Sequence, residues 1–277
     1  RKDLRQTRYR TFQYDPLHPE LLADGTVTAF SSQEGDFLWL AAGTVLEQIN
    51  RRTGAVKQFQ PPPDRNGPSP IRSLLQDHAG QLWLGMAGRR LLHFDPATER
   101  FREHPLLLVP EPIHPGPSPE VAAIYEDQAH NLWVVVSWDG IYQLDATRQT
   151  VQSYRRMDRP ELFLDDPHNI GAADIMAITG DGNGGLWLGY ASGNLSHYDT
   201  KQGAFHHYVA RIDSTKPSAL PPPCAECPPP PADKMAKPPP QLAPIARTDM
   251  TTTPTQVELG GWVESLLLDS QQFLWLA

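Results

Sequence analysis

The chain has 277 residues, 39% hydrophobic and 20% charged, which is ordinary globular chemistry and excludes a disordered whole. Its 24 bases against 32 acids leave a net charge of −8, which repels phosphate backbones and anionic lipid, so neither nucleic acid nor a membrane surface is an expected partner. No run approaches the roughly 18 apolar residues of a bilayer crossing, and Arg1 to Arg10 lack the apolar stretch of a signal peptide, so the chain as it stands is expected to be soluble.

In chain order, a strand is expected from Tyr9 to Tyr14, followed by a pattern laid out on Trp39, Trp83, Trp133, Trp187 and Trp275. Leu precedes each Trp (Leu38, Leu82, Leu132, Leu186, Leu274), and Leu40, Leu84, Val134, Leu188 or Leu276 follows it. Twelve residues upstream sits Val27, Ile71, Val121, Ile175 or Val263; ten upstream only Ala29, Ser73, Ala123, Ala177 or Ser265. Six upstream is Asp77, Asp127, Asp181 or Asp269, with Gln33 the departure; Gly80 and Gly184 complete a D-x-x-G turn. Downstream, Asn50, Asp95, Asp145 and Asp199 each end a third apolar strand and open a second polar turn, and a fourth strand begins at Val56, Phe101, Val151 and Phe205. The Trp residues are spaced by 44, 50, 54 and 88 residues. Four strands per unit at such a period predict the blades of an all-β, four-stranded antiparallel β-propeller, with no helix anywhere. Small residues ten before each Trp fit the crowding where innermost strands converge.

The count gives a final strand and four complete blades over 1–210, then a proline-rich insertion over 211–258, then the first two strands of a further blade over 259–277. The sequence therefore reads as a fragment of a larger ring. The insertion holds 13 of the 29 prolines and almost no large apolar residue, so an extended or disordered segment is expected there. Within it lie the two cysteines, Cys224 and Cys227. They cannot supply a disulfide framework, and their C-x-x-C spacing with His206 and His207 upstream is half a zinc site, against which free thiols or a strained short disulfide is the stronger reading.

The segment Ile71 to His104, IRSLLQDHAGQLWLGMAGRRLLHFDPATERFREH, resembles the repeat of the two-component-regulator propellers, the ligand-binding sensor domains of hybrid histidine kinases and related transmembrane signalling proteins. The resemblance extends to the segments from Ala122 to Tyr154 and Met176 to Tyr208, and to the connectors YDPLHP and DDPHNIG. It implies seven-bladed rings in the periplasm, an oligosaccharide or other small ligand, a homodimer in the full-length protein, and a histidine kinase or diguanylate cyclase module beyond a membrane helix. Gln33 in place of Asp, Val135 in place of Gly, and the insertion depart from the family pattern.

Propellers bind ligands at one end of the channel, where the innermost strands begin and the second-to-third-strand loops gather. The residue thirteen before each Trp reads Thr26, Pro70, Glu120, Asp174 and Trp262. Glu120 and Asp174 could accept hydroxyl hydrogens and Trp262 could stack on a sugar face; the alternative is a solvated rim. The loops contribute Arg89, Arg90, Trp138, Asp139, Tyr190 and Asn194. Trp138 stands outside the repeat frame, the bland reading being an indole folded over its own blade. Arg89 and Arg90 could meet an acidic sugar, although loop arginines are usually solvated. His93 and His197, at equivalent third-strand places, are read as structural. No catalytic motif, cofactor site or metal set is expected. The sequence therefore points to a non-enzymatic sensing propeller, with a streptogramin-lyase-like enzyme and a protein-docking scaffold as alternatives.

Overall fold

The computed structural model describes residues 15, 17, 22–31, 36–105, 119–155, 170, 175–191, 194–208, 243–244, 266–268 and 274–276. Every regular element among them is a β-strand, and no helix is long and apolar enough to cross a membrane. The chain forms two compact units, Arg1–Arg156 and Met157–Ala277.

The first unit holds three four-stranded antiparallel sheets in simple meander order. Blade one is β1 (Val27–Phe30), β2 (Phe37–Ala42), β3 (Val45–Asn50) and β4 (Val56–Phe59). Blade two is β5 (Ile71–Gln76), β6 (Leu82–Met86), β7 (Leu91–Asp95) and β8 (Arg100–His104). Blade three is β9 (Val121–Glu126), β10 (Leu132–Val136), β11 (Gly140–Leu144) and β12 (Val151–Arg155). Each framed Trp lies in the second strand, as the repeat requires. β6 and β10 are buried along their whole length, which is what a strand covered on both faces must be.

The faces stack. Trp39, Leu46 and Phe59 of blade one pack with Ile71, Leu84 and Phe94 of blade two, and the Trp39 ring lies 5.7 Å from that of Phe94. Trp83 and Leu91 of blade two pack in turn with Val121, Val134 and Tyr142 of blade three. The small residue ten before Trp does more than fit: Ser73 Oγ donates to the Val121 carbonyl of the next blade at 2.9 Å. Thr28 Oγ1 does the same to Ile71, at 2.7 Å. A Cβ on Gly85 would collide with Ser73 and Val121, so this glycine sets how closely blades two and three approach.

The D-x-x-G aspartates cap their turns and also hold the tryptophans. Asp77 Oδ1 accepts from the Ala79 and Gln81 amides, while Oδ2 accepts the Trp83 indole N–H at 2.9 Å. Asp127 accepts from Trp133 at 2.8 Å in the same way. The second set of turn residues caps likewise, with Asp95 accepting from Ala97 and Thr98 and Asp145 from Thr147 and Gln149.

In the second unit, β13 (Ile175–Gly180), β14 (Leu186–Tyr190), β15 (Leu195–Asp199) and β16 (Ala204–Tyr208) form blade four. There the Asp181 carboxylate is held 2.8 Å from His197 Nε2, and the His197 ring packs on Trp187 as His93 packs on Trp83. His93 and His197 are thus packing residues. A three-stranded sheet follows, in which β18 (Leu266–Leu268) and β19 (Leu274–Leu276) pair antiparallel. On the other side of β19 runs β17 (Ala243–Pro244), a two-residue strand from the proline-rich segment. Cys224, Cys227 and the strand expected from Tyr9 to Tyr14 lie outside the described residues.

One buried group is out of keeping with this core. Glu47, in β3, is fully buried; Oε1 accepts from the Ala23 amide at 2.6 Å and from Gln58 Nε2 at 3.2 Å, and Oε2 has no partner. Burial raises its pKa, against those two hydrogen bonds. A carboxyl whose folded pKa is raised stabilises below its unfolded pKa and loses that contribution as pH rises through the folded value. Glu47→Gln is therefore expected to be more stable than the parent at pH 8, because it removes the buried charge that desolvation disfavours. Urea unfolding at pH 5 and pH 8 checks it: the gain should shrink at the lower pH.

Candidate functional site

Blade geometry brings two sets of residues to one end of the sheets. The amide four residues after each Trp donates to the carbonyl thirteen before it: Gly43 to Thr26 at 3.1 Å, Ala87 to Pro70 at 3.2 Å, Ser137 to Glu120 at 2.9 Å. The starts of the innermost strands and the second-to-third-strand turns are therefore neighbours, as the sequence reading requires. The first strand of each of the four blades also carries a bulge, between Val27 and Ala29, Ile71 and Ser73, Val121 and Ala123, and Ile175 and Ala177. The extra residue is Thr28, Arg72, Ala122 or Met176, and a bulge re-aims its side chain out of the pleat.

In blade two the re-aimed residue is Arg72, whose Nε lies 2.7 Å from Glu120 Oε2 of blade three; both side chains remain about 40% exposed. Ser137 fixes Glu120 further, its Oγ accepting from the Glu120 amide at 2.9 Å. Beside Ser137 is Trp138, third in the turn Val136–Asp139 that the Asp139 amide closes onto the Val136 carbonyl at 3.2 Å. Trp138 has φ +61°, a left-handed backbone that glycine ordinarily supplies, and its side chain is exposed.

Beneath this surface lies a buried polar cluster. Arg89, from the β6–β7 turn, reaches across to blade three, with Nη2 2.7 Å from Asp139 Oδ2 and 3.2 Å from the Tyr142 hydroxyl. The Tyr142 hydroxyl also donates to Asp139. Arg89 and Asp139 are 5% and 4% exposed, so their charges meet in a dry setting. The Arg89 Nε is buried without a partner. The Arg89 amide and that of Gly88 both donate to the Pro119 carbonyl, tying the β6–β7 turn to the residue that precedes Glu120.

Several expectations need correction. Arg89 is not a solvated loop residue; Asp139 and Tyr142 draw it inward. Arg90 is bound within its own surroundings, forking onto Glu103 of β8 at 3.2 and 3.1 Å and onto the Pro62 carbonyl. Tyr190 belongs to the core rather than to a loop. It is the last residue of β14, at the frame position of Ala42, Met86 and Val136, and burial pushes its hydroxyl well up, opposed by Ser196. Asn194 contributes its backbone carbonyl to the Tyr190 amide in the turn. His207 is also inside, with Nδ1 2.8 Å from Ser196 Oγ. Asp174 and Trp262 lie outside the described residues.

Of the expected residues, the structure assembles Glu120, Trp138, Arg89 and Asp139, all in the first unit. It adds Arg72, Ser137 and Tyr142. Arg72 was readable as one of two charged residues eleven before a Trp, with Glu264, at a frame position whose other occupants are Thr28, Ala122 and Met176. An exposed guanidinium and carboxylate, paired beside the turn that carries an exposed indole, are groups that can exchange hydrogen bonds with hydroxyls and cover an apolar ring face.

No family model and no curated protein matches the sequence. Among solved structures, the chain is similar to the extracellular domain of BT4673 from B. thetaiotaomicron, described as a one component or hybrid two component system, at 16% identity and TM-score 0.57 over 91% of this chain. The extracellular domain of BT3049 from the same organism, also described as a hybrid two component system, gives 19% identity and TM-score 0.53 over 76%. A catalytically inactive virginiamycin B lyase from Staphylococcus aureus, solved with quinupristin, gives 15% identity and TM-score 0.50 over 67%. The chain spans about a quarter of the length of the two extracellular domains, 26% and 25%, and 56% of the lyase. At these identities the likeness is one of fold: the chain is built of the four-stranded antiparallel blades of a β-propeller.

Proposed function

We propose that this chain is part of the extracytoplasmic, ligand-sensing propeller of a transmembrane signalling protein, and that Arg72, Glu120 and Trp138 hold a carbohydrate or a similar small polar ligand. The observation that carries the reading is Trp138. A bulky residue in the left-handed region costs about 1–2 kcal/mol relative to one that takes it freely, and Trp138 is held there with 42% of its surface exposed. Strain of this kind is kept where a side chain is needed for something other than packing. The charged pair beside it suits hydroxyl groups, and the fold likeness to extracellular sensor domains supports the cellular setting. In this reading the full-length protein is a periplasmic homodimer, and ligand binding biases the arrangement of its two copies and so a distant output module.

Trp138→Ala is expected to remove binding on a glycan array while leaving stability within about 0.5 kcal/mol of the parent, as for a surface change. A loss of stability of several kcal/mol would put the indole in the core and end the proposal. A lyase is the second reading, favoured by the fold likeness to the virginiamycin B enzyme. Consumption of a streptogramin by the purified chain would install it instead.

A further inference from the structure

At the other end of the sheets, the first-to-second-strand turns of blades two and three bring together three groups that have no part in the site above. His78 follows Asp77 in the β5–β6 turn, Glu126 ends β9, and His130 lies in the β9–β10 turn. Glu126 Oε1 lies 2.7 Å from His78 Nδ1 and 3.8 Å from His130 Nδ1, and the two imidazoles stack with centroids 3.6 Å apart. One nitrogen or oxygen from each residue falls within 4.8 Å of the other two.

We propose that His78, Glu126 and His130 bind one divalent transition-metal ion of the zinc, cobalt or nickel class, bridging blades two and three. Two neutral imidazoles and a carboxylate form the borderline donor set that suits these ions and not magnesium or calcium. Tetrahedral bonds of about 2.0–2.1 Å put donor atoms roughly 3.3 Å apart, and the separations of 2.7 and 3.8 Å lie on either side of that value. Glu126 is only 11% exposed, held by the His78 amide on Oε2 and by Arg148 on Oε1 at 3.1 Å, so the carboxylate is already oriented. The histidines are 46% and 49% exposed, which leaves an entry path and room for water in the remaining positions. The Arg148 charge opposes a second cation, so affinity should be lower than that of the same donors without it.

Backbone strain gives an independent reason. His130 has φ +64° and occupies the place of Gly80 and Gly184 in the D-x-x-G turns of blades two and four, which have φ +78° and +97°. Glycine adopts that conformation without penalty, and histidine does not. The imidazole is retained where the turn itself favours no side chain at all. Binding requires His78 to carry its proton on Nε2 and to turn from donating to Glu126 to sharing the ion with it.

The test is titration of the 277-residue chain with Zn2+ and Co2+, with Cys224→Ser and Cys227→Ser introduced to remove the thiols. One Zn2+ per chain should bind and raise the melting temperature, while Mg2+ and Ca2+ do neither. His130→Gly should weaken binding by more than the roughly 10–100-fold that loss of an outer-sphere partner costs, and its metal-free form should be at least as stable as the parent, since the strain is relieved. His78→Asn should weaken Zn2+ binding comparably. Absence of stoichiometric Zn2+ binding, or affinity unchanged in both variants, would overturn the proposal. The array result for Trp138 is independent of either outcome.

Discussion

Replacing Trp133 by alanine is expected to destabilise the first unit by about 3–5 kcal/mol, the cost of deleting a wholly buried large side chain whose surroundings cannot close over the space. Trp133 has 0% exposure, stacks on Tyr154 with centroids 5.8 Å apart, and is fixed by its indole N–H on Asp127. Two effects are combined in that change, and Trp133→Phe separates them. Phenylalanine keeps most of the ring volume but removes the N–H. Asn131 still donates to Asp127 Oδ2 at 2.9 Å, so the carboxylate keeps a partner and the loss should be only about 1 kcal/mol, that of one ordinary hydrogen bond. Urea unfolding followed by circular dichroism on the two variants checks both values. A loss below about 1 kcal/mol for the alanine variant would show that the framed tryptophans are not the packing centres of their blades.

The blades were legible because the same steric demand recurs at fixed offsets. A strand covered on both faces must be apolar throughout, and a turn capped by Asp must hold that residue in one place, so five tryptophans were enough to lay out the strands. Tyr190 was legible in the same way and was misread. Its frame position is buried in every described blade, and reading across Ala42, Met86 and Val136 would have assigned it to the core. The site was less legible, since it depends on pairings between turns of different blades. Nothing in the spacing of Arg89 and Asp139 says that one reaches the other, because this depends on the relative height of neighbouring sheets. Arg72 depends on a bulge, which repositions a side chain without any change in hydrophobic pattern. His78 and His130 occupy different offsets in their turns, so no sequence motif links them; only the histidine standing where glycine is expected was visible beforehand.

Arg89→Ala is expected to cost about 3–5 kcal/mol, because it leaves the Asp139 carboxylate buried without its counter-charge. Asp139→Ala should cost a similar amount for the complementary reason, since the guanidinium it strands already has a buried Nε with no partner. Bringing both charges inside carries a desolvation cost that their mutual attraction often fails to repay. An apolar replacement of the cluster, Arg89→Met with Asp139→Leu and Tyr142→Phe, should therefore fold with stability within about 1–2 kcal/mol of the parent. Its defect should appear in ligand binding, because the Arg89–Asp139 side-chain pair joins the β6–β7 turn to the turn that carries Trp138. Unfolding curves and glycan binding measured on the single and triple variants distinguish the roles. Single variants costing less than about 1 kcal/mol would mean that the ion pair is hydrated in solution. A triple variant that binds as tightly as the parent would mean that the cluster fastens neighbouring turns together and does not hold the surface above it in position for the ligand.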